Sequence, residues 1–392
     1  MAGGLSRLGE GPDVAYSNAR TGGRRPLDQK VTRRGGGKLT ITDVARYALV
    51  SPMTVSRVIN GEKNVSQETR DRVNAAVHEL GYAPNLAARS LASAKSLRIG
   101  LLYSNPSAAY LSEFLLGSLE QCSAAAIQLV VEKCDGETGE AIAVRRLIAT
   151  GVDGVILPPP LCDSISIIAQ LEAAGIPTVV VATGEPPRSA SAIRIDDFRA
   201  AEAMTRHLIE LGHRRIGFVR GHPNQTASAQ RYAGYEATMT TAGLAIDADL
   251  VVQGFFTYHS GLDAADRLLA LPQPPTAIFA SNDDMAAAAI AVAHRIGLDV
   301  PRDLTVCGFD DTALATTVWP PLTTIRQPVA AMSREAVVLL TAAIRRKAAG
   351  KAPKPVCDLI DFTLVRRQSD GHPPAKPARR RKAAHPGAST NA

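Results

Sequence analysis

Apolar positions recur at helical spacing in three short segments near the start of the chain. Ile41, Val44, Ala45 and Ala48 mark the first; Val55, Val58 and Ile59 the second; Thr69, Val73, Ala76, Val77 and Leu80 the third. Ser51 stands as an N-cap with Pro52 at the first helical position, where its missing N–H costs nothing. Ser66 caps the third segment and Gly81 closes it. Two short helices joined by a tight turn, the second rich in Ser, Thr and Arg, predict a helix-turn-helix. From Leu97 the period changes. Short apolar strands at Leu97–Tyr103, Gln128–Glu132 and Asp153–Leu157 alternate with helices at Glu113–Ala126 and about Glu137–Ala149. A second set runs through Arg215–Val219, Val251-Val252, Ala277–Ala280 and Leu304–Phe309. Such alternation predicts parallel sheets covered on both faces, hence two doubly wound lobes with ligands beyond the carboxyl ends of the strands.

A chain of 392 residues, 45% of them hydrophobic, is long enough for about two or three domains with a sizeable core. The formal charge of +7 sits in the termini: residues 1–38 hold eight Lys and Arg against three acids, and residues 366–392 seven against one. Both stretches are rich in Gly, Pro and Ala and lack apolar periodicity, so they are expected to be disordered basic extensions. They either add phosphate attraction or are simply solvated. The five cysteines are scattered without metal-ligand spacing, which fits a reducing cytosol and argues against a zinc site or disulfide framework. No apolar run approaches membrane-spanning length, and no hydrophobic signal core opens the chain. A soluble cytoplasmic protein is expected, held on the nucleoid when bound to DNA.

The segment from Asp43 carries D-V-A-x-x-A-x-V-S-x-x-T-V-S-R-V-x-N, then V-S-x-x-T-R-x-x-V, then G-Y-x-P-N-x-x-A-R-x-L-A. In these motifs and their spacing the chain resembles the LacI/GalR family of bacterial transcription regulators, to about Leu364. The resemblance implies an all-α helix-turn-helix headpiece and an α/β two-lobed periplasmic-binding-protein-like core, in which the chain crosses between lobes three times. The expected organisation is a basic extension (1–38), the headpiece (39–82), a hinge helix and linker (83–96), an effector-binding and dimerisation domain (97–365) and a basic tail (366–392). On the DNA side, Arg57 has the fork to take guanine O6 and N7. Pro52 and Met53 fall where the family varies with operator sequence, and they offer only shape or apolar contact. Thr54, Ser56 and Asn60 are read as phosphate or structural contacts, and Thr40 as a further DNA-binding residue. Asn85, Ala88 and Leu91 match the hinge, Leu91 as the minor-groove wedge and Ala88 as the small residue that lets two hinges approach. Leu49 departs from the family, which has Gly at this turn; a non-Gly residue in a left-handed conformation costs on the order of 1 kcal/mol.

The positions that match family effector contacts are Asp196, Arg231, Phe256, Asn282 and Asp310, with Tyr110, Phe114 and Gln327 as weaker matches. Their chemistry agrees: carboxylates, an amide and an Arg fork hold hydroxyls in pairs, and an aromatic face covers a sugar ring. Each has a structural reading beside the functional one. Asp197 and Asp284 read as N-caps, Phe256 equally as lid or core, Trp319 as core or subunit interface. His207 and His213 read as a helix face and its C-terminal cap rather than metal ligands. No Gly-x-Gly-x-x-Gly, P-loop or G-x-S-x-G occurs, and Gly221-His222-Pro223 lacks the lysine of a phosphate loop. No catalytic residues, cofactor or metal are therefore expected. The expected protein is a homodimeric repressor on a pseudo-palindromic operator, released by a small sugar, sugar derivative or glycoside, with no membrane partner. A regulator tightened by its ligand, a cytosolic sugar-binding protein and an enzyme remain the alternatives.

Overall fold

In the computed structural model the described residues are 39–59, 65–82, 96–134 and 136–375. The chain divides into two compact units, meeting between residues 92 and 93. The first holds three helices, α1 (Ile41–Tyr47), α2 (Pro52–Ile59) and α3 (Gln67–Leu80). Their inner faces bury Val44, Ala45, Ala48, Val55, Val58, Val73, Ala76 and Tyr82 in one small core. Local capping explains the boundaries. The Ser51 hydroxyl accepts from Thr54 N–H at 3.1 Å, Ser66 accepts from Thr69 N–H at 3.4 Å, and Gly81 closes α3 with φ +59°. Between α1 and α2, Leu49 does adopt a left-handed φ of 54°. The expected hinge at 83–96, with Asn85, Ala88 and Leu91, lies outside the described residues except for its last position, as do Asn60 and the N-terminal extension.

The second unit is built on two six-stranded sheets. Lobe 1 contains β1 (Arg98–Tyr103), α4 (Ala108–Ala124), β2 (Gln128–Lys133), α5 (Gly136–Ala149), β3 (Gly154–Leu157), α6 (Ile165–Ala173), β4 (Thr178–Val181) and β5 (Ser191–Arg194). Lobe 2 contains α7 (Asp197–Glu210), β6 (Ile216–Arg220), α8 (Thr226–Thr241), β7 (Val251–Gln253), α9 (Tyr258–Ala270), β8 (Ala277–Ala280), α10 (Asp283–Arg295), β9 (Thr305–Asp310), α11 (Leu314–Thr317) and β10 (Thr323–Arg326). The chain then returns through α12 (Val329–Ala348) and β11 (Cys357–Leu359) to lobe 1, and ends in β12 (Thr363–Val365) on lobe 2. The strand orders are β11-β5-β4-β3-β1-β2 and β12-β10-β9-β8-β6-β7. The chain thus crosses after β5, after β10 and after β11. All pairings are parallel except β10 with β12, and the central strands β3, β8 and β9 are buried throughout, as sheets covered on both faces require. Gly117 lets α4 lie directly on α12: a Cβ there would fall 2.2 Å from the Ala330 carbonyl oxygen.

Several expectations need correction. The first helix of lobe 1 begins at Ala108 rather than Glu113, because Ser107 caps it. Trp319 is 73% exposed and so is no core residue. The stretch from Arg366 is not the start of a loose tail. Ser369 and Asp370 are buried, Asp370 meets His207 Nε2 at 2.6 Å, and His213 meets the Gly371 carbonyl at 2.9 Å. Apolar periodicity could not reveal this segment, since polar pairs rather than apolar contacts hold it. Residues 376–392 lie outside the described residues.

The left-handed Leu49 is 81% exposed, so its side chain returns little packing for its strain. Leu49→Gly should therefore stabilise the three-helix unit by up to about 1 kcal/mol. Amide hydrogen exchange in α1–α3 of the full chain should slow several-fold; unchanged or faster exchange would refute the strain.

Candidate functional site

The outer face of α2 presents Pro52, Met53 and Arg57, all exposed, with Thr54 and Ser56 half-buried and Val55 and Val58 turned inward. The helix carries no acid in its first turn and Arg57 in its last. Met53, 65% exposed, is an apolar side chain offered to solvent at the helix start. Thr40 acts as the cap of α1, its hydroxyl and N–H both donating to Asp43 Oδ2, at 2.7 and 3.0 Å. A short amphipathic helix whose outer face carries an arginine and no acid suits entry into a DNA groove.

In the second unit a narrow cleft lies between the lobes. Arg231, on α8, is its centre of charge and only 4% exposed. Its Nε donates to Asp197 Oδ1 at 2.8 Å and its Nη1 to the Ser281 carbonyl at 2.6 Å. Nη1 lies 3.8 Å from Asp310 Oδ1, and the guanidinium stacks 3.6 Å from the Phe309 ring centroid. Gln327 donates to Asp310 Oδ1 at 2.6 Å. Asn282 caps α10 through Met285 N–H at 3.0 Å and donates to the Phe256 carbonyl at 3.1 Å. Phe256 reaches over Gly221, where a Cβ would lie 1.9 Å from its ring. From lobe 1 come Asn105, Ser107, Tyr110 and Ala182. Three lining residues, Ala182, Phe256 and Asp310, have positive φ (58°, 59° and 110°), a concentration of backbone strain typical of ligand sites.

Tyr110, Arg231, Phe256, Asn282, Asp310 and Gln327, six of the eight candidate effector contacts, line this one cleft. Two expected residues do not. Phe114 is fully buried behind the cavity, its ring stacked at 6.4 Å from Tyr110. Asp196 is the N-cap of α7, accepting from Arg199 N–H at 3.0 Å. Its neighbour Asp197, read as the cap, is the buried partner of Arg231. Helix phase makes the exchange, since only the first helical residue turns inward. Asp284, also read as a cap, instead accepts from the Ser107 hydroxyl at 2.6 Å, across the cleft. A second cross-lobe contact joins Asp163 to Thr226 N–H and Oγ1, each at 2.9 Å. The polar loop Asn105-Pro106-Ser107 after β1 was the signal that sequence reading passed over.

Arg231 serves two buried carboxylates, Asp197 and Asp310, and at both burial outweighs its pull. Burial pushes the Asp310 carboxyl up to about 7, against the pull of Arg231 and the Gln327 hydrogen bond. Burial raises Asp197 despite Arg231, and raises Asp283 well above the usual carboxylate range. Tyr110 is also raised well above its ordinary value by burial and by Asp310. Two buried polar atoms on the cavity wall, Tyr110 Oη and Gln327 Oε1, have no partner. No group of three or more His, Cys, Asp or Glu among the described residues is placed to hold a metal.

A three-helix DNA-reading unit joined to a two-lobed domain with a polar cleft defines a DNA-binding regulator under small-molecule control. Known proteins of similar sequence and structure agree. Residues 40–85 match the model of bacterial regulatory proteins of the lacI family, and residues 205–369 the periplasmic binding protein-like domain. Catabolite control protein A of Priestia megaterium is 35% identical over 305 residues, 77% of this chain and 92% of that protein. The lac repressor dimer bound to operator and the anti-inducer ONPF matches with TM-score 0.66 and 30% identity, over 86% of this chain and all of that one. A transcriptional regulator CelR–cellobiose complex matches with TM-score 0.64 and 33% identity, over 85% and 100%. The chain belongs to the lacI family of bacterial regulatory proteins. It is a DNA-binding transcriptional regulator, not an enzyme, and regulators of this family are cytoplasmic. Among the described residues no helix is long and apolar enough to cross a membrane.

Asp310 sets a pH dependence of stability. An acid raised on folding holds an extra proton in the native state between its unfolded value of 3.8 and its folded value of about 7. Stability therefore falls as pH rises through that window. Asp310→Asn, neutral throughout and tolerant of positive φ, should flatten the fall of melting temperature between about pH 5 and 8. Parallel curves for variant and parent would count against the assignment.

Proposed function

We propose that this regulator represses by binding a pseudo-palindromic operator as a homodimer and is released when a neutral polyhydroxylated ligand, a sugar or sugar derivative, occupies the cleft. The observation that carries the reading is the pair of unpartnered buried atoms, Tyr110 Oη and Gln327 Oε1, on a cavity also lined by Arg231, Asn282, Asp310 and the Phe256 ring. Buried polar groups are costly unless satisfied, and ligand hydroxyls would satisfy both. Paired amide and carboxylate groups beside an aromatic face suit a sugar ring. The cellobiose held by one structural relative is in keeping with this chemistry. For the dimer, apolar Leu116 and Leu119 on α4 and Val131 on the edge strand β2 are exposed on lobe 1, and two half-sites call for two headpieces. On DNA, Arg57 reads a base, Pro52 and Met53 read shape or a thymine methyl, and Thr40, Thr54, Ser56 and Asn60 meet phosphates. Asn85, Ala88 and Leu91 are proposed to form the hinge contact in the minor groove. Bound to its operator, the protein is held on the nucleoid.

Arg231 is also a structural partner of Asp197, and breaking a buried pair costs about 3–5 kcal/mol, so its removal tests folding rather than binding. Tyr110→Phe is the cleaner variant, because the hydroxyl has no partner to lose. It should fold and bind operator as the parent does, yet need about five- to tenfold more ligand for release, one hydrogen bond's worth. A panel of neutral mono- and disaccharides, screened by thermal shift and then by calorimetry, supplies the ligand. If the best ligand binds both forms equally, the cleft reading fails. If it tightens operator binding, release is the wrong direction.

Arg57→Ala tests the DNA side. Specific binding should weaken by about 1–3 kcal/mol per half-site, with little change on random duplex. Equal losses on both duplexes in a gel shift would make Arg57 a phosphate contact.

A further inference from the structure

The five cations Arg345, Arg346, Lys347, Lys351 and Lys354 fall within ten residues that contain no acid. All are exposed except Arg346, which is half-buried. Arg346 and Lys347 donate to the Ala352 and Gly175 carbonyls. Arg345, Lys351 and Lys354 have no side-chain partner among the described residues. Cations in the last turn of a helix complement its dipole, and this accounts for Arg345, Arg346 and Lys347 at the end of α12. It does not account for Lys351 and Lys354, which lie past the helix, where the dipole no longer acts.

Sheet topology says where this patch lies. In a parallel sheet all strands start at one edge, and backbone bonds here tie those starts together: Asp153 N–H to the Arg98 carbonyl (2.7 Å), Val155 to Pro177 (2.9 Å), Ala192 to Val356 (2.8 Å). Lys347 reaches Gly175, just before β4, and β4 is two strands from β1. At the usual strand spacing that is about 10 Å. The start of β1, with Ser96 bonded to the Ala126 carbonyl at 3.3 Å, is where the connection from the DNA-reading unit joins lobe 1. The basic patch therefore shares its edge with the attachment point of the headpiece. Exposed acids nearby are few, chiefly Glu172 at the end of α6.

We infer that the end of α12 and the loop 349–356 form an auxiliary phosphate-binding surface that engages the DNA backbone flanking the operator. This rests on the DNA-binding reading above. DNA held by the headpiece is tethered to lobe 1 through the chain that enters β1, and tethering raises its effective concentration to about the millimolar range. At that concentration weak, sequence-independent phosphate contacts count. The partner is the same duplex rather than a separate acidic protein, because the shared edge keeps that polyanion at hand.

The test uses the full chain and the site it selects from a random duplex library. The site is presented as a minimal duplex of about 20 bp, enough for two half-sites, and as the same site with long flanks. Affinity is measured by anisotropy across a salt series. The parent should prefer the flanked duplex about tenfold at low salt, with a steeper salt dependence. In Arg345→Gln/Lys351→Gln/Lys354→Gln the preference should vanish. The log–log salt slope on flanked DNA should fall by about 0.9 for each phosphate no longer neutralised. Binding to the minimal duplex should stay as in the parent, with the melting temperature lowered by no more than the loss of Arg345 from the last turn of α12 explains. Lys351→Glu/Lys354→Glu, which leaves the helix untouched, should reverse the preference. Unchanged flank preference and slope in both variants would overturn the proposal, whether the patch then serves the helix dipole or an acidic protein. If the parent selects no site at all, the DNA-binding reading fails instead.

Discussion

The guanidinium of Arg231 is the charge on which the cleft is organised. A buried cation without partners would cost several kcal/mol, and here three different elements answer it. Asp197 begins α7, Ser281 follows β8, Asp310 ends β9, and the Phe309 ring lies against the guanidinium face. Each of these is held where it is by its need to meet the same group, so the carboxyl ends of the lobe 2 strands are fixed relative to one another. Burial weakens the acids Asp197, Asp283 and Asp310, and the guanidinium offsets this only at Asp197 and Asp310. One cation is thus shared between two buried carboxylates.

The same shortage shapes what the cleft can hold. Two donors of the guanidinium are already committed to Asp197 and Ser281, and its charge is matched by Asp310. An anionic ligand would bring a further negative charge to a site with no cation to spare, whereas a neutral ligand need only exchange hydrogen bonds. Across the cleft, Ser107 with Asp284 and Asp163 with Thr226 already join the lobes. A ligand that changes the lobe arrangement must work against these bonds or with them, and it shifts the equilibrium only by the difference.

The fold was largely legible because its signals are local. Capping residues Ser51, Ser66 and Gly81 and the missing N–H of Pro52 act within one turn, so the headpiece boundaries could be read directly. Strand apolarity marked β1–β3 and β6–β9, but not the short strands β4, β5 and β10–β12. The site was less legible, because its partners are far apart in sequence. Nothing local separates Asp196 from Asp197: the distinction is helix phase plus an arginine 34 positions away. Phe114 shares its helix and its chemistry with Tyr110, yet lies one turn further on and faces the core. Asp370 looked like part of a solvated tail until His207, from the other end of lobe 2's chain, supplied a partner. The positive φ of Phe256 and Asp310 breaks the usual preference of such residues, and no propensity could have foretold it.

The reading face of α2 sets a limit on how the protein finds its site. Among its described residues only Arg57 carries a fork able to discriminate bases, worth about 1–3 kcal/mol for each good bidentate pair. Pro52 has no side-chain donor, and Met53 can offer a methyl-sized apolar contact. Specific binding by such modules exceeds non-specific binding by about 4–10 kcal/mol. One headpiece with one discriminating arginine falls short of that range, and two copies reach only its lower half. On the proposed reading, the remainder comes from Met53, from the hinge contacts in the minor groove and from duplex deformability. Selectivity would then be shared between the recognition helix, its copy in the dimer and the shape of the duplex.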